Sequence, residues 1–548
     1  MRNYSEIARQ YAEDVVSGKV DACIYVKAAC QRHLDDLKGS EKYYWSEECC
    51  DDICDFAEHL VHTKGKWMGT LIVLEPWQVF CLGVPFGWLR KEDGLRRFRE
   101  MYLEIPRKNG KSVLGAIIGL YMLTRDGELG SEVYSGASSK KQAWEVFGPA
   151  RLMASRAPGL KDAFGISVNA ESLVVLETAS KFEPIIGKPG DGASPHCALI
   201  DEYHEHKTPE LYDTMKTGLG ARTQPMIVII TTAGVNLSGP CYAKRNQVAK
   251  MLEGSIENDE IFAVIYTLDK DDDWTDFKVW RKANPNMGVS VFEGYLKSQL
   301  KDASQIASKQ NIIRCKHLNQ WMNANTAWMN MVFWNSCGDE GISIQDFEDE
   351  PCYIGIDLAS KLDIAAVALL FERNGTYFAF GRYYLPQDTI EKPENSHYQS
   401  WLAEGALIET PGAITDYGYI ESDLEVIKSH FEVKEVAYDP FQATQFSTRL
   451  SEQGFEMIEV GQTVKNFSEP MKNLEALVID GKLTHENNPV MNWMISNVVA
   501  HYDQKENIFP NKERKENKID GVVALIMALA RATLGVQESE IDQGFVEI

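Results

Sequence analysis

Short β-rich segments alternate with helical segments from about residue 70 to about residue 235. The β-rich segments are RFREMYLEI, SEVYSGA, HCALIDE and PMIVIITTA, and the helical ones include KSVLGAIIGLYMLTR and KKQAWEVFGPARLMAS. Strands that alternate with helices along a chain pair in parallel, and the helices cover the sheet. The alternation therefore predicts an α/β fold built on a parallel sheet.

The chain has 548 residues, which is too many for one hydrophobic core, so we expect more than one domain. We predict a helical lead-in at 1–65, a first α/β core at 66–270, a connecting subdomain at 271–345 and a second α/β domain at 346–548. The lead-in is predicted from apolar residues at three- and four-residue spacing in YSEIARQYAEDVV and WSEECCDDICDFAEHLVH. The connecting subdomain is rich in Trp and Asn.

The composition is that of a soluble globular protein, with 44% hydrophobic and 25% charged residues and a net charge of −24. That charge argues against a general nucleic-acid coat. The basic segments at 90–99 and 511–518 could still form local contacts with nucleic acid. A solvated surface is nevertheless the first interpretation of each segment. No apolar run approaches the roughly 20 residues of a membrane span, and the first residues lack the apolar core of a secretory signal. We expect a cytosolic protein with no membrane partner.

The 11 cysteines show no repeating spacing, as expected for reduced thiols in the cytosol. One group is close enough in sequence to suggest zinc, and its members are Cys49, Cys50, Cys54, His59 and His62. Paired Cys-x2-Cys knuckles are missing, and the segment has helical spacing. An amphipathic helix is therefore favoured over a zinc site.

The segment EIPRKNGKS (104–112) joins a predicted strand to a predicted helix. Gly110, Lys111 and Ser112 match the end of a phosphate-binding loop, whereas Ile105 stands where the general pattern has its first glycine. N–H groups at a helix N-terminus bind phosphate oxygens, so we predict Lys111 at the β- and γ-phosphates of ATP and Ser112 at Mg²⁺. Nucleotide contacts are expected from the loop residues Arg107, Lys108, Asn109, Gly110, Lys111 and Ser112. The alternative is an ordinary loop that contains Gly-Lys-Ser.

The segment HCALIDEYHEH places two acids, Asp201 and Glu202, after an apolar run. A buried strand with two acids at its carboxyl end is the Walker B arrangement. We predict that Asp201 positions Mg²⁺ through water and that Glu202 polarises the attacking water. Without the phosphate loop, the pair would be interpreted as a strand end.

Two more features support an ATP site. PMIVIITTAG places Thr231 and Thr232 at the end of a strand, where small polar groups could contact the γ-phosphate and report its hydrolysis. Without the other motifs, a strand that ends at a turn is an equal alternative. Gln78 in LEPWQ precedes the loop, and a Gln amide can pair with both N6 and N7 of adenine. Apolar residues of the same motif are expected to pack around it.

Charge stabilisation in phosphoryl transfer usually needs a further cation. Arg107 inside the loop is the first candidate. Arg222 in LGARTQP, which could serve a neighbouring subunit, and Lys188 in IIGKPGDG are alternatives. Each is also interpretable as a surface cation.

Three aspartates far apart in sequence form a second candidate site. Asp357 lies in the first of two antiparallel strands predicted for YIGIDLASKLDIAAVALLF, and a lone acid in an apolar strand needs a partner or a metal. Asp439 ends another apolar strand, and Asp520 begins an apolar helix. An RNase H-like fold brings such acids together around two divalent ions, Mg²⁺ or Mn²⁺. Asp363 is a possible fourth ligand or a turn cap.

Taken together, these motifs resemble the large terminase subunits of tailed bacteriophages. The segments that carry the resemblance are LEPWQ (74–78), PRKNGKS (106–112), LIDEYHEH (199–206), TTAG (231–234), KANPNMG (282–288), GIDLAS (355–360), AYDP (437–440) and KIDGVVALIMA (518–528). The resemblance covers nearly the whole chain, and the family's loop also lacks the first glycine.

The resemblance implies an N-terminal ASCE-type P-loop ATPase and a C-terminal RNase H-like nuclease. It implies ATP-driven packaging of double-stranded viral DNA into a preformed capsid and cutting of concatemeric DNA. The implied partners are the portal protein, the small terminase subunit and further copies of the chain in a ring of five. The implied location is the host cytoplasm and, transiently, the portal vertex of the procapsid, not the mature virion. Asp357, Asp439 and Asp520 map to the nuclease acids.

Two other functions remain as alternatives at this stage. A free-standing nuclease-helicase would share the ATP motifs but needs strand-separating motifs, which are not evident after TTAG. A portal-binding adaptor with degenerate sites is disfavoured by the intact Lys111 and the intact acids.

Overall fold

A computed structural model describes residues 2–186, 192–237, 239–324, 327–358, 363–392, 395–441, 443–503, 505–514 and 516–544, the last ten by backbone alone. The chain divides into two compact units. The first comprises Met1–Lys301 with Ile313–Met322, and the second comprises Asp302–Ile312 with Asn323–Ile548. No helix in the described ranges is both long enough and apolar enough to cross a membrane.

The first unit contains the helical lead-in and the first α/β core. Its elements are α1 (Tyr4–Val16), α2 (Ile24–Leu37), β1 (Tyr43–Trp45), α3 (Glu47–Glu58), α4 (Pro76–Gly87), β2 (Trp88–Arg90), β3 (Glu100–Glu104), α5 (Lys111–Thr124), β4 (Glu132–Ala137), α6 (Lys140–Arg156), α7 (Leu160–Ala163), β5 (Ile166–Val168), β6 (Leu173–Val175), β7 (Ser180–Ile186), β8 (Cys197–Asp201), α8 (Glu210–Gly218), β9 (Met226–Thr231), α9 (Pro240–Leu252), β10 (Ile261–Ile265) and α10 (Trp280–Ala283). Two helices include residues of both units, α11 (Glu293–Gln305) and α12 (Ala307–Leu318).

The second unit contains the second α/β domain. Its elements are α13 (Met331–Ser336), β11 (Pro351–Asp357), β12 (Ala365–Arg373), β13 (Thr376–Pro386), α14 (Gln387–Ile390), α15 (Ser396–Ala403), β14 (Ile408–Thr410), α16 (Tyr417–His430), β15 (Glu432–Tyr438), α17 (Thr444–Glu452), β16 (Met457–Glu459), α18 (Val464–Ile479), β17 (Leu483–His485), α19 (Pro489–Asn497), β18 (Val498–Tyr502), β19 (Ile508–Lys512) and α20 (Asp520–Gly544). Short 3-10 turns lie at Gly65–Trp67, Tyr203–Glu205, Leu219–Ala221, Phe277–Val279 and Ile344–Phe347.

The described part of the first unit forms an eight-stranded sheet in the order β10-β3-β9-β8-β4-β7-β6-β5. Neighbouring strands from β10 to β7 run parallel, so the predicted parallel sheet is confirmed. Every residue of the central strand β9 is buried, as expected for a strand covered on both faces. The edge strands β5 and β6 are antiparallel to their neighbours, which the sequence did not predict.

The second unit contains a mixed sheet in the order β14-β13-β12-β11-β15-β16, with β17 paired to β13. β11 runs antiparallel to β12, as predicted, and parallel to β15. Helix α20 packs across β11 at Gly355, where an added Cβ would lie 1.9 Å from the carbonyl oxygen of Ala524. The glycine therefore lets the helix approach the sheet closely enough for its first residue to reach the strand ends.

Candidate functional site

The loop between β3 and α5 has the geometry of a phosphate cradle. Gly110 caps α5 with φ of 88° and ψ of 15°, a left-handed conformation that glycine adopts without strain. Lys108 is also left-handed, with φ of 70°. Lys111 is the first helical residue, and its Nζ donates to the carbonyl oxygen of Ile105 at 2.8 Å. The helix N-terminus and the Lys111 ammonium thus lie at one end of the sheet.

Lys111 is buried, and burial lowers its pKa to about 8. Glu202 and Asp201 act in the opposite direction, while the charges of Arg107 and Lys316 lower the pKa further. The predicted loop lysine, both Walker B acids and Arg107 are therefore close enough to influence one another. A polyanion bound here would relieve the repulsion among the cations.

The loop is held by the segment KANPNMG, whose role the sequence did not reveal. Asn109 donates through Nδ2 to Asn284 Oδ1 at 3.0 Å, and its Oδ1 accepts from the backbone N–H of Asn286 at 3.0 Å. Ser290 Oγ donates to the carbonyl oxygen of Lys108 at 2.7 Å. Asn109 thus holds the loop in place, because its side-chain amide is already used within the protein.

The two acids follow β8 as predicted. Asp201 is the last residue of β8 and is buried, and burial together with the neighbouring Glu202 raises its pKa to about 7. Glu202 adopts a left-handed conformation with φ of 45°. Burial alone would raise the pKa of Glu202, but a hydrogen bond from His204 and the charges of Lys111 and Lys316 outweigh it and lower the pKa to about 2.

The predicted magnesium ligands fit the ion chemically. Ser112 supplies a hydroxyl in the first turn of α5, and Asp201 supplies a buried carboxylate. Oxygen donors of this kind suit Mg²⁺, and a cation beside Asp201 would favour its ionised form over the protonated one.

Thr231 and Thr232 lie beside the acids. The backbone N–H of His204 donates to Thr231 Oγ1 at 3.1 Å, and Thr232 Oγ1 lies 3.4 Å from His204 Nδ1. The next residue, Ala233, donates its N–H to Asn319 Oδ1 at 2.7 Å. The strand end that was predicted to report hydrolysis is thus bonded to the segment 313–322.

Gln78 lies beside the loop. An added Cβ on Gly110 would be 3.4 Å from Gln78 Nε2. Gln78 Oε1 accepts from the backbone N–H of Glu75 at 3.0 Å, which completes a capping box at the start of α4. Its Nε2 faces the loop, and its Oε1 has one lone pair left. A cavity of about 530 Å³ next to this motif is lined by Trp77 and Asn284, among others.

The candidate cations differ in position. Arg107 influences Lys111 electrostatically, as the prediction requires. Arg222 lies before β9, at the opposite end of the strand from Thr231, and its Nε donates to the carbonyl oxygen of Ser194 at 2.8 Å. Arg222 therefore does not reach the ATP site of its own chain. Lys188 lies outside the described residues.

Asp357 and Asp439 lie at the same end of two neighbouring parallel strands. Ile356 pairs with Tyr438, and the next residue in each case is one of the two acids, with Asp439 directly after the end of β15. Asp357 is the last residue of β11 rather than a residue within it. Gln462, which the sequence did not indicate, donates through Nε2 to Asp357 Oδ1 at 3.1 Å.

Asp520 is the first residue of α20, as predicted, and its Oδ2 is buried without a hydrogen-bond partner in the described part of the chain. Burial, then Asp520 and Asp439, raise the pKa of Asp357 well above its usual range. Burial and the charge of Asp363 raise the pKa of Asp520 to about 6, although Lys512 and Lys518 oppose them. The three aspartates thus form one electrostatic group.

This group has the chemistry of a divalent-metal site, because buried carboxylates that repel one another are stabilised by a cation. Within the described ranges, no group of three or more His, Cys, Asp or Glu side chains is arranged so that it could hold a metal ion. Asp363 forms an ion pair with Lys518, and its Oδ1 lies 3.8 Å from Lys512 Nζ. Both lysines belong to the basic segment 511–518. Asp363, the possible fourth ligand, is therefore paired with lysine side chains in this structure.

The cysteine cluster packs between helices. Cys50 and Cys54 of α3 are buried, and an added Cβ on Gly83 of α4 would lie 2.5 Å from Cys50 Sγ. The two thiols therefore pack in the close contact between α3 and α4.

Comparison with known proteins covers the parts of the chain that contain both candidate sites. Residues 76–250 match the family described as "Terminase large subunit, ATPase domain", and residues 255–536 match "Terminase large subunit, endonuclease domain". Protein YmfN of Escherichia coli strain K12 is 43% identical over 388 residues, which cover 68% of this chain and 85% of that protein. The large terminase subunit of Enterobacteria phage HK97 is 27% identical over 489 residues, covering 87% and 94% of the two chains.

The crystal structure of the HK97 bacteriophage large terminase is 25% identical, covers 88% of this chain and 99% of that chain, and has a TM-score of 0.43. The two family matches together span the loop at 106–112, Asp201 and Glu202, and the three aspartates of the second candidate site. They confirm the predicted fold class and the predicted pair of enzymatic activities, and they favour neither alternative. The chain therefore belongs to the large terminase subunit family, with an ATPase domain and an endonuclease domain for packaging and cutting viral DNA.

Proposed function

We propose that ATP is bound and hydrolysed between the start of α5 and the end of β8. Lys111 holds the β- and γ-phosphates, Ser112 and Asp201 hold the magnesium ion, and Glu202 orients the attacking water. The observation that carries this proposal is the mutual electrostatic influence of Lys111, Asp201 and Glu202. The low pKa of Glu202 keeps it ionised, as a residue that accepts a proton from water must be.

The bound magnesium ion would neutralise the charge that develops on the phosphate oxygens. The protein supplies the remaining chemistry. Arg107 adds positive charge on the loop, Asn109 keeps the loop in shape, and Gln78 presents its Nε2 beside the loop for the base.

Hydrolysis is coupled to movement through the end of β9. Ala233 is bonded to Asn319, and the carbonyl oxygen of Gly234 accepts from the N–H of Met322 at 3.2 Å. Cys315 Sγ donates to the carbonyl oxygen of Ala233 at 3.1 Å. A shift of Thr231 and its neighbours is therefore transmitted to the segment 313–322, from which the chain continues into the second unit.

The nuclease centre is proposed at Asp357, Asp439 and Asp520. Two divalent ions, Mg²⁺ or Mn²⁺, would activate water and stabilise the leaving oxygen of a phosphodiester. Gln462 orients the Asp357 carboxylate through its hydrogen bond. The proposal rests on the buried, unpartnered Asp520 Oδ2 in the described chain, which a cation would satisfy.

A packaging terminase acts on DNA at the portal. We propose that this chain assembles on the portal of the procapsid as a ring of five subunits and that the small terminase subunit selects its double-stranded DNA. It would work in the host cytoplasm, docked transiently, and be absent from the mature virion. Negative-stain imaging of the chain with portal-bearing procapsids, with and without ATP, tests the ring and its stoichiometry.

The variant Lys111→Ala tests the ATP site. ATP turnover should fall by more than about a hundredfold, because the ammonium group that stabilises charge on the transferred phosphate is lost. Metal-dependent cutting of plasmid DNA should remain measurable, which shows that the second unit is folded, and an unchanged far-UV circular dichroism spectrum checks the first. Lys140→Ala, which removes an exposed lysine near the start of α6, is the matched control. Normal turnover in Lys111→Ala would overturn the assignment of the loop.

A further inference from the structure

Lys316 reaches the ATP site from α12, although no motif in the sequence points to it. Its carbonyl oxygen accepts from the backbone N–H of Arg107 at 3.0 Å, so the residue is fixed to the phosphate loop. Its Nζ lies 3.3 Å from His204 Nε2. Its charge also lowers the pKa of both Lys111 and Glu202. Lys316 is therefore a second ammonium group beside the first.

His204 connects this lysine to the rest of the site. It is buried, and its Nδ1 lies 3.3 Å from Glu202 Oε2 and 3.1 Å from Thr231 Oγ1. A lysine ammonium only donates, so in its contact with Lys316 the His204 Nε2 accepts and the imidazole proton lies on Nδ1. Glu205 Oε1 lies 3.2 Å from the same Nε2 and is the partner that a protonated Nε2 would have instead. In that tautomer the Nδ1–H is directed at Thr231 Oγ1, and Glu202 Oε2 lies near the same nitrogen, buried and without a hydrogen-bond partner in the described chain. One imidazole thus contacts the water-orienting acid, the coupling strand and the added cation.

The position of Lys316 relates it to one particular phosphate. In the ATPase proposed above, Lys111 serves the β- and γ-phosphates and Glu202 faces the attacking water. A cation that acts on both of these groups lies near the γ-phosphate. A triphosphate offers Lys316 a charged partner, which forms a stronger hydrogen bond than a neutral imidazole does.

We propose that Lys316 binds the γ-phosphate in its own subunit and that His204 is a positioning residue which passes this contact on to Glu202 and Thr231. The inference rests on the proposed ATPase centre. Before ATP binds, Lys316 donates to His204. After ATP binds, Lys316 moves to the γ-phosphate, and His204 loses this partner at Nε2 while its Nδ1 stays beside Thr231 and Glu202. ADP has no γ-phosphate and leaves Lys316 on His204.

The test compares binding of a non-hydrolysable ATP analogue with binding of ADP. In Lys316→Ala, affinity for the analogue should fall about tenfold, the scale of one charge-assisted hydrogen bond, while affinity for ADP stays unchanged. Lys316→Arg should restore much of the affinity and turnover. Lys309→Ala on the same helix, whose Nζ pairs with Asp302 at 2.8 Å, is the matched control.

Equal losses for ADP and the analogue would assign Lys316 a structural role and overturn the inference. Unchanged binding and turnover would also overturn it. For His204, His204→Ala should lower kcat without weakening ADP binding, and His204→Gln, which keeps a donor and an acceptor, should recover part of kcat. A failure of His204→Gln to exceed His204→Ala would contradict the positioning role.

The same measurements separate this inference from the ATPase proposal. If Lys111→Ala turns over ATP normally, the ATP site itself is misplaced. If Lys111→Ala is inactive while Lys316→Ala behaves as wild type, only the role of Lys316 is wrong.

Discussion

Asn109 and Asn284 are joined by a hydrogen bond of 3.0 Å between Nδ2 and Oδ1, across 175 residues of sequence. The same Asn284 donates to the carbonyl oxygens of His317 at 2.8 Å and Trp280 at 3.1 Å. Asn284 is buried, so water cannot satisfy the groups that these bonds pair. The shape of the phosphate loop therefore depends on a residue outside the loop.

Replacement of Asn284 by Ala should weaken ATP binding. Asn109 would lose one of its partners, and two buried carbonyl groups would lose a donor, which costs about 1–3 kcal/mol per unsatisfied group. We expect the Kd for ATP to rise at least about tenfold. Isothermal titration with a non-hydrolysable analogue measures this. Asn169→Ala, at an exposed asparagine, is the control, and an unchanged Kd in Asn284→Ala would show that the loop holds its shape alone.

Asp439→Asn should abolish metal-dependent DNA cutting. Asp439 Oδ1 accepts from the backbone N–H of Phe441 at 2.9 Å, and the Asn amide oxygen can accept the same bond. The turn is thus preserved while the charge is lost, and cutting should fall by at least about a hundredfold. Plasmid cleavage with Mg²⁺ or Mn²⁺ is the measurement.

The control for this change is Asp388→Asn, at an exposed aspartate of α14 in the same unit. ATP turnover should be normal in both variants. Full cutting by Asp439→Asn would refute its place among the nuclease acids.

Local patterns predicted the elements that end at the candidate sites. The apolar run before Asp201 and the apolar helix after Asp520 are continuous in sequence, so hydrophobic periodicity locates both strand and helix ends. The strands β5 and β6 have three residues each, too few for a period of two to be recognised, and they were missed.

The partners of these residues could not be predicted in the same way. Lys316 meets His204 across 112 residues, and Gln462 meets Asp357 across 105. Such contacts depend on how the elements pack, and no local spacing encodes them. The motif KANPNMG was noticed, but only the folded chain shows that its asparagines hold the phosphate loop.

Gly355→Ala should destabilise the nuclease unit. An added Cβ would lie 1.9 Å from the carbonyl oxygen of Ala524, which is backbone and cannot turn aside. Helix α20 would have to move away from β11, at a cost of about 1–3 kcal/mol or more, and Asp520 would move with it. The unfolding temperature and the rate of plasmid cutting should both fall.

The matched control is Gly294→Ala in α11, where an added Cβ meets nothing within 4 Å. This change should leave stability unchanged or raise it slightly, because Ala favours a helix more than Gly does. Equal unfolding temperatures for Gly355→Ala and wild type would show that α20 does not need the close approach.

His33 should make the first unit less stable in mild acid. It is buried, its Nδ1 accepts from Trp88 Nε1–H at 3.0 Å, and burial together with the charge of Arg97 lowers its pKa to about 3. Above pH 6.5 the imidazole is neutral in the folded and the unfolded chain. As the pH falls from about 6.5 towards 3, only the unfolded chain gains this proton, so the free energy of unfolding falls by up to about 1.4 kcal/mol per pH unit.

Urea unfolding between pH 7.5 and about 5 is the measurement, with hydrogen exchange in α2 as the readout. The free energy of unfolding should depend less steeply on pH in His33→Gln than in wild type. His430→Gln, at an exposed histidine, should keep the wild-type dependence, and parallel curves for all three proteins would show that His33 does not take up the proton on unfolding.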